Sequence, residues 1–170
     1  IRLKIQRNIG NAFVRLGRFN DAIQAYEAIM EGNPDFQTGF NLIVCYYALG
    51  DAERMRKGFQ KLLSIPPPAA EEEDDDLDAD ETKDPDAPTA ARGDSLKQEL
   101  NERQKQASRF ITIAAKLIAP ALSPKDWVAG FDWVIDALRH EHDLIASEML
   151  ITKALTYLRN KHFDKAVEVL

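Results

Sequence analysis

Two stretches of this chain repeat one pattern, and that repetition limits the fold more than any other feature of the sequence. NIGNAFVRLGRFNDAIQAYEAIMEGNP (residues 8–34) and NLIVCYYALGDAERMRKGFQKLLSIPP (residues 41–67) superpose at an offset of 33 residues. Asn8 falls on Asn41, Phe13 on Tyr46, Gly17 on Gly50, Tyr26 on Phe59, Ile29 on Leu62 and Pro34 on Pro67. A tandem unit of that length predicts a linear array in which each unit buries its apolar face only against its neighbours.

Each unit reads as a helical hairpin. Ile9, Phe13 and Leu16 stand at helical spacing and predict one apolar face. Gly17 stops that helix where the chain must turn. Ala22, Tyr26, Ile29 and Met30 form the facing stripe of a second helix, and the small Ala22 lets the two approach closely. Asn33-Pro34 ends it, because proline cannot continue the hydrogen-bond ladder. A third copy, ITKALTYLRNKHFDKAVEVL (residues 151–170), puts Tyr157 in the Phe13 place, Phe163 in the Phe19 place and Ala166 in the Ala22 place. Lys161 stands there where Gly17 stood, which weakens the turn signal. The pattern is that of a tetratricopeptide repeat (TPR), so the expected fold is all-α, a right-handed superhelical solenoid.

Three regions follow. Residues 1–65 hold two TPR hairpins. Residues 66–94 hold almost no large apolar side chain except Leu77, so they are expected to be a disordered acidic linker. Residues 95–170 resume helical patterning, with Ser95 and Gln98 at capping-box spacing before a long helix that Pro120 ends or kinks. A helix with Trp127, Phe131, Val134, Ile135 and Leu138 on one face comes next, and then a helix from about Asp143 to Asn160. Trp127 and Trp133 read as core side chains. The chain opens without Met and stops inside the second helix of a repeat, so it reads as an internal piece of a longer protein.

Charge is concentrated in one place. AEEEDDDLDADETKDPD (residues 70–86) has eleven acids and one lysine, a net −10 against −6 for the whole chain, so the remainder carries +4. That excess is too small to point to nucleic acid. A calcium loop opening at Asp76 would have Asp78 and Asp80 in place, but Glu81 where glycine is needed and Ala87 where a bidentate Glu is needed. The tract is therefore expected to be a solvated spacer. The single cysteine, Cys45, excludes an intrachain disulfide, fits a reducing compartment and reads as a small core residue. No signal peptide is visible in IRLKIQRNIG. The longest nearly apolar run, Phe110 to Leu122, is broken by Lys116 and is too short to span a bilayer.

No catalytic constellation emerges. His140 and His142 are two residues apart and point to different sides of a helix, His162 stands alone, and all three read as surface histidines. Gly10 and Gly17 punctuate helices and do not form a phosphate loop. The expectation is a protein without enzymatic activity, metal or cofactor. What remains is a binding groove lined by the first helix of each repeat, with Arg7, Asn8, Asn11, Gln37 and Asn41 facing it. Asparagine offers donors and acceptors to an extended peptide backbone. Arg7, Asn11 and Asn41 also resemble part of the clamp with which chaperone-binding TPR domains hold a C-terminal carboxylate, which gives the alternative reading of a peptide-binding adaptor.

Four segments, NLIVCYYALGDAERMRKGFQKL, AAKLIAPAL, AGFDWVIDAL and KALTYLRNKHFDKAVEVL, resemble one family, the TPR subunits of intraflagellar transport complex B. They occur in the family's order, and AKLIAP followed by GFDW lies outside the general repeat pattern. The resemblance implies a scaffold in the core of that complex, needed for cilium assembly, whose partners are other complex subunits. One of them would thread against the Asn8 and Asn41 face. It further implies location in the cilium or flagellum, the basal body and the cytoplasm. No nucleic acid, membrane insertion or small-molecule substrate is implied. The long acidic run departs from the family pattern.

Overall fold

The computed structural model describes residues 2–67 and 89–170. The acidic tract, expected to be a disordered spacer, lies outside the described residues. Eight helices occur among those described: α1 (Arg2–Arg15), α2 (Phe19–Gly32), α3 (Phe36–Leu49), α4 (Ala52–Leu63), α5 (Thr89–Ile118), α6 (Trp127–Leu138), α7 (Asp143–Arg159) and α8 (Phe163–Val169). The chain divides into two compact units, Pro66–Ala107 on its own and Ile1–Ile65 together with Ser108–Leu170.

The hairpin turns show how sequence sets local structure. Gly17, Gly50 and Lys161 have φ of 71°, 69° and 61°, the left-handed region. In each case the next residue's N–H returns to the aromatic position of the preceding helix: Arg18 to the Phe13 carbonyl at 2.9 Å, Asp51 to Tyr46 at 3.1 Å, His162 to Tyr157 at 2.9 Å. These three Schellman closures satisfy carbonyls that a helix end leaves free. Lys161 takes this conformation with a Cβ, which a glycine avoids. Lys161→Gly is therefore expected to stabilise the protein by about 1 kcal/mol. Thermal unfolding followed by circular dichroism checks the sign, with a rise of about 2–4 °C expected.

Aspartates start three helices. Asp35 accepts from the Thr38 N–H at 2.9 Å, Asp51 from Arg54 at 3.0 Å and Asp126 from Ala129 at 3.3 Å. Each satisfies a donor that the first turn leaves open.

The repeat stripe forms the core. Ala22, Tyr26, Tyr46, Phe59, Tyr157 and Ala166 are all buried, and Phe13 is half-buried against them. Pro34 is exposed at the end of the first repeat, and Phe163 opens α8 as Phe19 opens α2 but is 62% exposed. Cys45 is fully buried, and that burial pushes its thiol up to about 11, so it stays protonated and inert near neutrality.

Three expectations are corrected. Ile9 and Leu16, predicted on the buried face of the first helix, are 47% and 71% exposed, whereas Leu42, the counterpart of Ile9, is 2% exposed. For Ile9 the reason is that α3 is flanked by α2 and α4, while among the described residues α1 packs chiefly on α2; Leu16 lies just past the end of α1, a position where its counterpart Leu49 is also 44% exposed. The long helix begins at Thr89, so residues 89–94 are helical and Ser95 lies inside the helix instead of capping it. Gly93-Asp94 reads locally as a break, but a helix anchored downstream propagates at little cost through Ala90, Ala91 and Arg92. His142, expected at the surface, is half-buried, and its Nε2 is enclosed without a hydrogen-bond partner among the described residues.

Within the larger unit, the second half of α5 and α6 form a hairpin that the repeat pattern does not announce. Phe110 of α5 meets Phe40 of α3 with ring centroids 5.6 Å apart, and Trp133 of α6 meets Phe59 of α4 at 6.2 Å. The Arg56 guanidinium lies 5.8 Å from the Trp133 ring centre, a cation–π contact. The order thus continues as first helix on first helix and second on second. Gly130 lets α6 close on α5: a Cβ there would sit 2.1 Å from the Ala119 carbonyl oxygen. Trp127 packs edge-on against Phe131 and Tyr157, at 5.6 and 4.8 Å, and ties in α7. Lys153 of α7, nearly buried, bonds Asp132 of α6, and Lys116 of α5 bonds Glu148 of α7 at 2.5 Å.

Candidate functional site

The first helices of the two opening hairpins, α1 and α3, border a shallow groove of about 220 Å³, lined by Asn11, Val14, Arg15, Tyr26, Asn41 and Val44. Helical spacing puts Asn11, Val14 and Arg15 on one side of α1 and Asn41 and Val44 on one side of α3. At its floor the Tyr26 hydroxyl donates to Asn11 Oδ1 at 2.6 Å, and Asn41 Nδ2 donates to the same oxygen at 3.2 Å. Burial raises the Tyr26 phenol above its ordinary range, so it stays a donor throughout the physiological range. Asn11 is thereby held in one orientation, and its amide nitrogen makes no hydrogen bond among the described residues.

Of the five residues expected to face the groove, the structure brings Asn11 and Asn41 into hydrogen-bond contact. Asn8 is exposed on α1, and Gln37 is exposed near the start of α3. Arg7 is engaged internally. Its guanidinium donates to Asp35 Oδ2 at 2.9 Å, to Gln37 Oε1 at 2.9 Å and to Thr38 Oγ1 at 3.1 Å. Thr38 is fully buried, and its hydroxyl donates to Asp35 Oδ2 at 2.6 Å. Arg7 therefore fastens the start of α3 to α1 with a compensated charge.

Sequence reasoning missed Val14, Arg15 and Val44 as groove residues. Their position one turn from Asn11 and Asn41 is the signal that could have found them. It also missed Asp35 and Thr38, which decide what Arg7 does. The Asp-x-x-Thr spacing at a helix start was available in the sequence, but its pairing with a residue on another helix was not. Among the described residues no group of three His, Cys, Asp or Glu side chains could hold a metal ion, and no helix is long and apolar enough to cross a membrane.

Antiparallel helix pairs closed by left-handed turns, joined in series with small residues at the contacts, define a tetratricopeptide-repeat solenoid. Two family models, each described as Tetratricopeptide repeat, match residues 4–36 and 37–65. Residues 4–65 thus hold two tetratricopeptide repeats, and the fold is an all-α solenoid among the described residues. Over its whole length the chain is 39% identical, across 178 aligned residues, to the Intraflagellar transport protein 88 homolog of Homo sapiens. It spans 20% of that relative's length.

Proposed function

We propose that the chain is part of a non-enzymatic scaffold of the intraflagellar transport complex B core, where it binds other subunits of that complex. The observation that carries this reading is the 39% identity to the human relative, which extends over the whole chain and so beyond the two matched repeats. The solenoid fold is consistent with it, because such arrays present extended concave surfaces to other chains. On this reading the protein acts in the cilium or flagellum, the basal body and the cytoplasm. It needs no metal, cofactor, nucleic acid or small-molecule substrate.

The partner surface is the α1–α3 groove, with Asn8, Asn11 and Asn41 bonding a peptide backbone and Val14 and Val44 covering its side chains. Arg7 and Gln37 hold the groove's end in shape. The alternative adaptor with a carboxylate clamp has less support, since the Arg7 donors are already occupied by Asp35, Gln37 and Thr38.

Co-purification with recombinant complex B subunits tests the reading, comparing the parent protein with its Asn8→Ala/Asn41→Ala form. The expected result is at least a tenfold loss of capture, since two backbone-directed hydrogen bonds contribute about 1 kcal/mol each at an interface. The melting temperature should fall by no more than about 4 °C, as one neutral hydrogen bond is lost. Undiminished capture would remove the groove from the interface. Binding of a free acidic C-terminal peptide, abolished by Arg7→Ala, would favour the adaptor instead.

A further inference from the structure

A second concavity lies on another side of the same hairpins and is untouched by the groove. Asn41 and Val44 of α3 face the groove, whereas Leu42 and Tyr46 of α3 form the floor of a cleft of about 670 Å³ between α2 and α4. One wall carries Glu27 and Glu31 of α2, one helical turn apart. The other carries Arg54, Lys57 and Lys61 of α4, spread over about 10 Å of helix. Gly58 leaves this side open, and any Cβ there would press on Ile43 and Tyr46 at 3.2 Å.

The walls differ in sign yet do not neutralise each other. Glu31, Lys57 and Lys61 make no ion pair among the described residues, and Glu27 accepts from the Tyr46 hydroxyl at 2.7 Å. Arg54 pairs with Asp51, the N-cap of α4, at 3.4 Å, and its guanidinium lies 6.0 Å from the centre of the Tyr46 ring. The Tyr46 phenol is raised well above its ordinary range by burial and by the Glu27 carboxylate, so this floor bond persists at any physiological pH. A polyanion such as a phosphorylated metabolite would be attracted to α4 but repelled by Glu27 and Glu31. A segment with acids on one edge and bases on the other would satisfy both walls.

We infer that the α2–α4 cleft is a second docking site, separate from the proposed groove, for an amphipathic helix of a protein partner. Carboxylates at i, i+3 and i+7 on that helix would face Arg54, Lys57 and Lys61. Lysine or arginine on its opposite edge would face Glu27 and Glu31, and small apolar residues between them would rest on Leu42 and Tyr46. A helix is the occupant because the α4 cations recur at helical intervals, which a partner helix reproduces residue for residue. Complementary charge of this kind fixes register and accelerates encounter.

Fluorescence anisotropy on the 170-residue chain tests the site. The probe is a lactam-stapled alanine-based helix of about 18 residues, long enough to hold its helix when stapled. It carries Glu at i, i+3 and i+7 and two Lys on the opposite edge, and its control has the same composition in scrambled order. The patterned helix should bind at least about tenfold more tightly than the scrambled one and weaken as salt is raised. Lys57→Glu/Lys61→Glu should abolish the difference, and a helix with Lys in place of Glu at i+3 and i+7, its opposite edge unchanged, should regain it on that variant. Both lysines are exposed, so folding should survive. If circular dichroism shows otherwise, Lys57→Gln/Lys61→Gln takes its place. Asn8→Ala/Asn41→Ala should leave this binding unchanged, which separates the cleft from the groove. Equal binding of both helices, insensitivity to the lysine changes, or displacement by low-millimolar inorganic pyrophosphate would overturn the inference.

Discussion

Gly130→Ala is expected to lower stability by about 3 kcal/mol, the upper range for forcing one extra methyl into a packed contact. The added Cβ would lie 2.1 Å from the Ala119 carbonyl oxygen and 3.3 Å from its carbon. A side-chain neighbour could rotate away, but a backbone carbonyl moves only with its helix end. The whole α5–α6 contact must therefore separate, and Leu122, 3.5 Å from the same point, moves with it. Thermal unfolding should show a loss of about 6–12 °C for a chain of this size. The informative control is Gly32→Ala. Gly32 ends α2, and a methyl added there would meet nothing within 4 Å, so alanine should stabilise by about 0.5–1 kcal/mol through helix propensity. If both substitutions shift the melt in the same direction, the close approach of α5 and α6 is wrong.

Phe59→Ala should cost about 3–5 kcal/mol, the range for removing a fully buried aromatic ring. Phe59 is 0% exposed and, with Arg56, is a side chain that α4 presents to Trp133 of α6. Its loss leaves a void on one side of Trp133 and weakens the joint between the second hairpin and the next. Tryptophan fluorescence should shift to longer wavelength before global unfolding in a urea titration. Phe163→Ala provides the contrast: that ring is 62% exposed, and its removal should change stability by no more than about 0.5 kcal/mol. A cost below about 1 kcal/mol at Phe59 would mean that α6 is held chiefly by its other contacts.

The two changes probe parts of the fold that were unequally legible. The first hairpins could be read directly, because their signals are local. Gly17 and Gly50 mark left-handed turns, Ala22 and Tyr26 mark the helix contact, and all recur at the period. The third turn kept its geometry although Lys161 replaced the glycine, since the closing bond from His162 to Tyr157 depends on backbone atoms. The groove was half legible. Asn11 and Asn41 border it, as their places on the first helices suggest, but Arg7, expected to face it and to resemble part of a clamp, is engaged elsewhere. Its neutralisation depends on Asp35, which lies 28 residues away in sequence and is brought close only by hairpin stacking.

The sequence by itself determined that the chain is a series of helical hairpins, because period, small residues and turn signals act within one or two turns of helix. It also determined which side of each first helix carries asparagine. Tertiary structure alone decided that α5 and α6 continue the array, since the longer connection through Pro120 and Pro124 hides the period while Phe110 and Trp133 still find Phe40 and Phe59. It also decided which apolar residues are covered: Leu42 is enclosed and Ile9 is open although they share one repeat position. Burial depends on which helices lie on either side, and no single repeat contains that information.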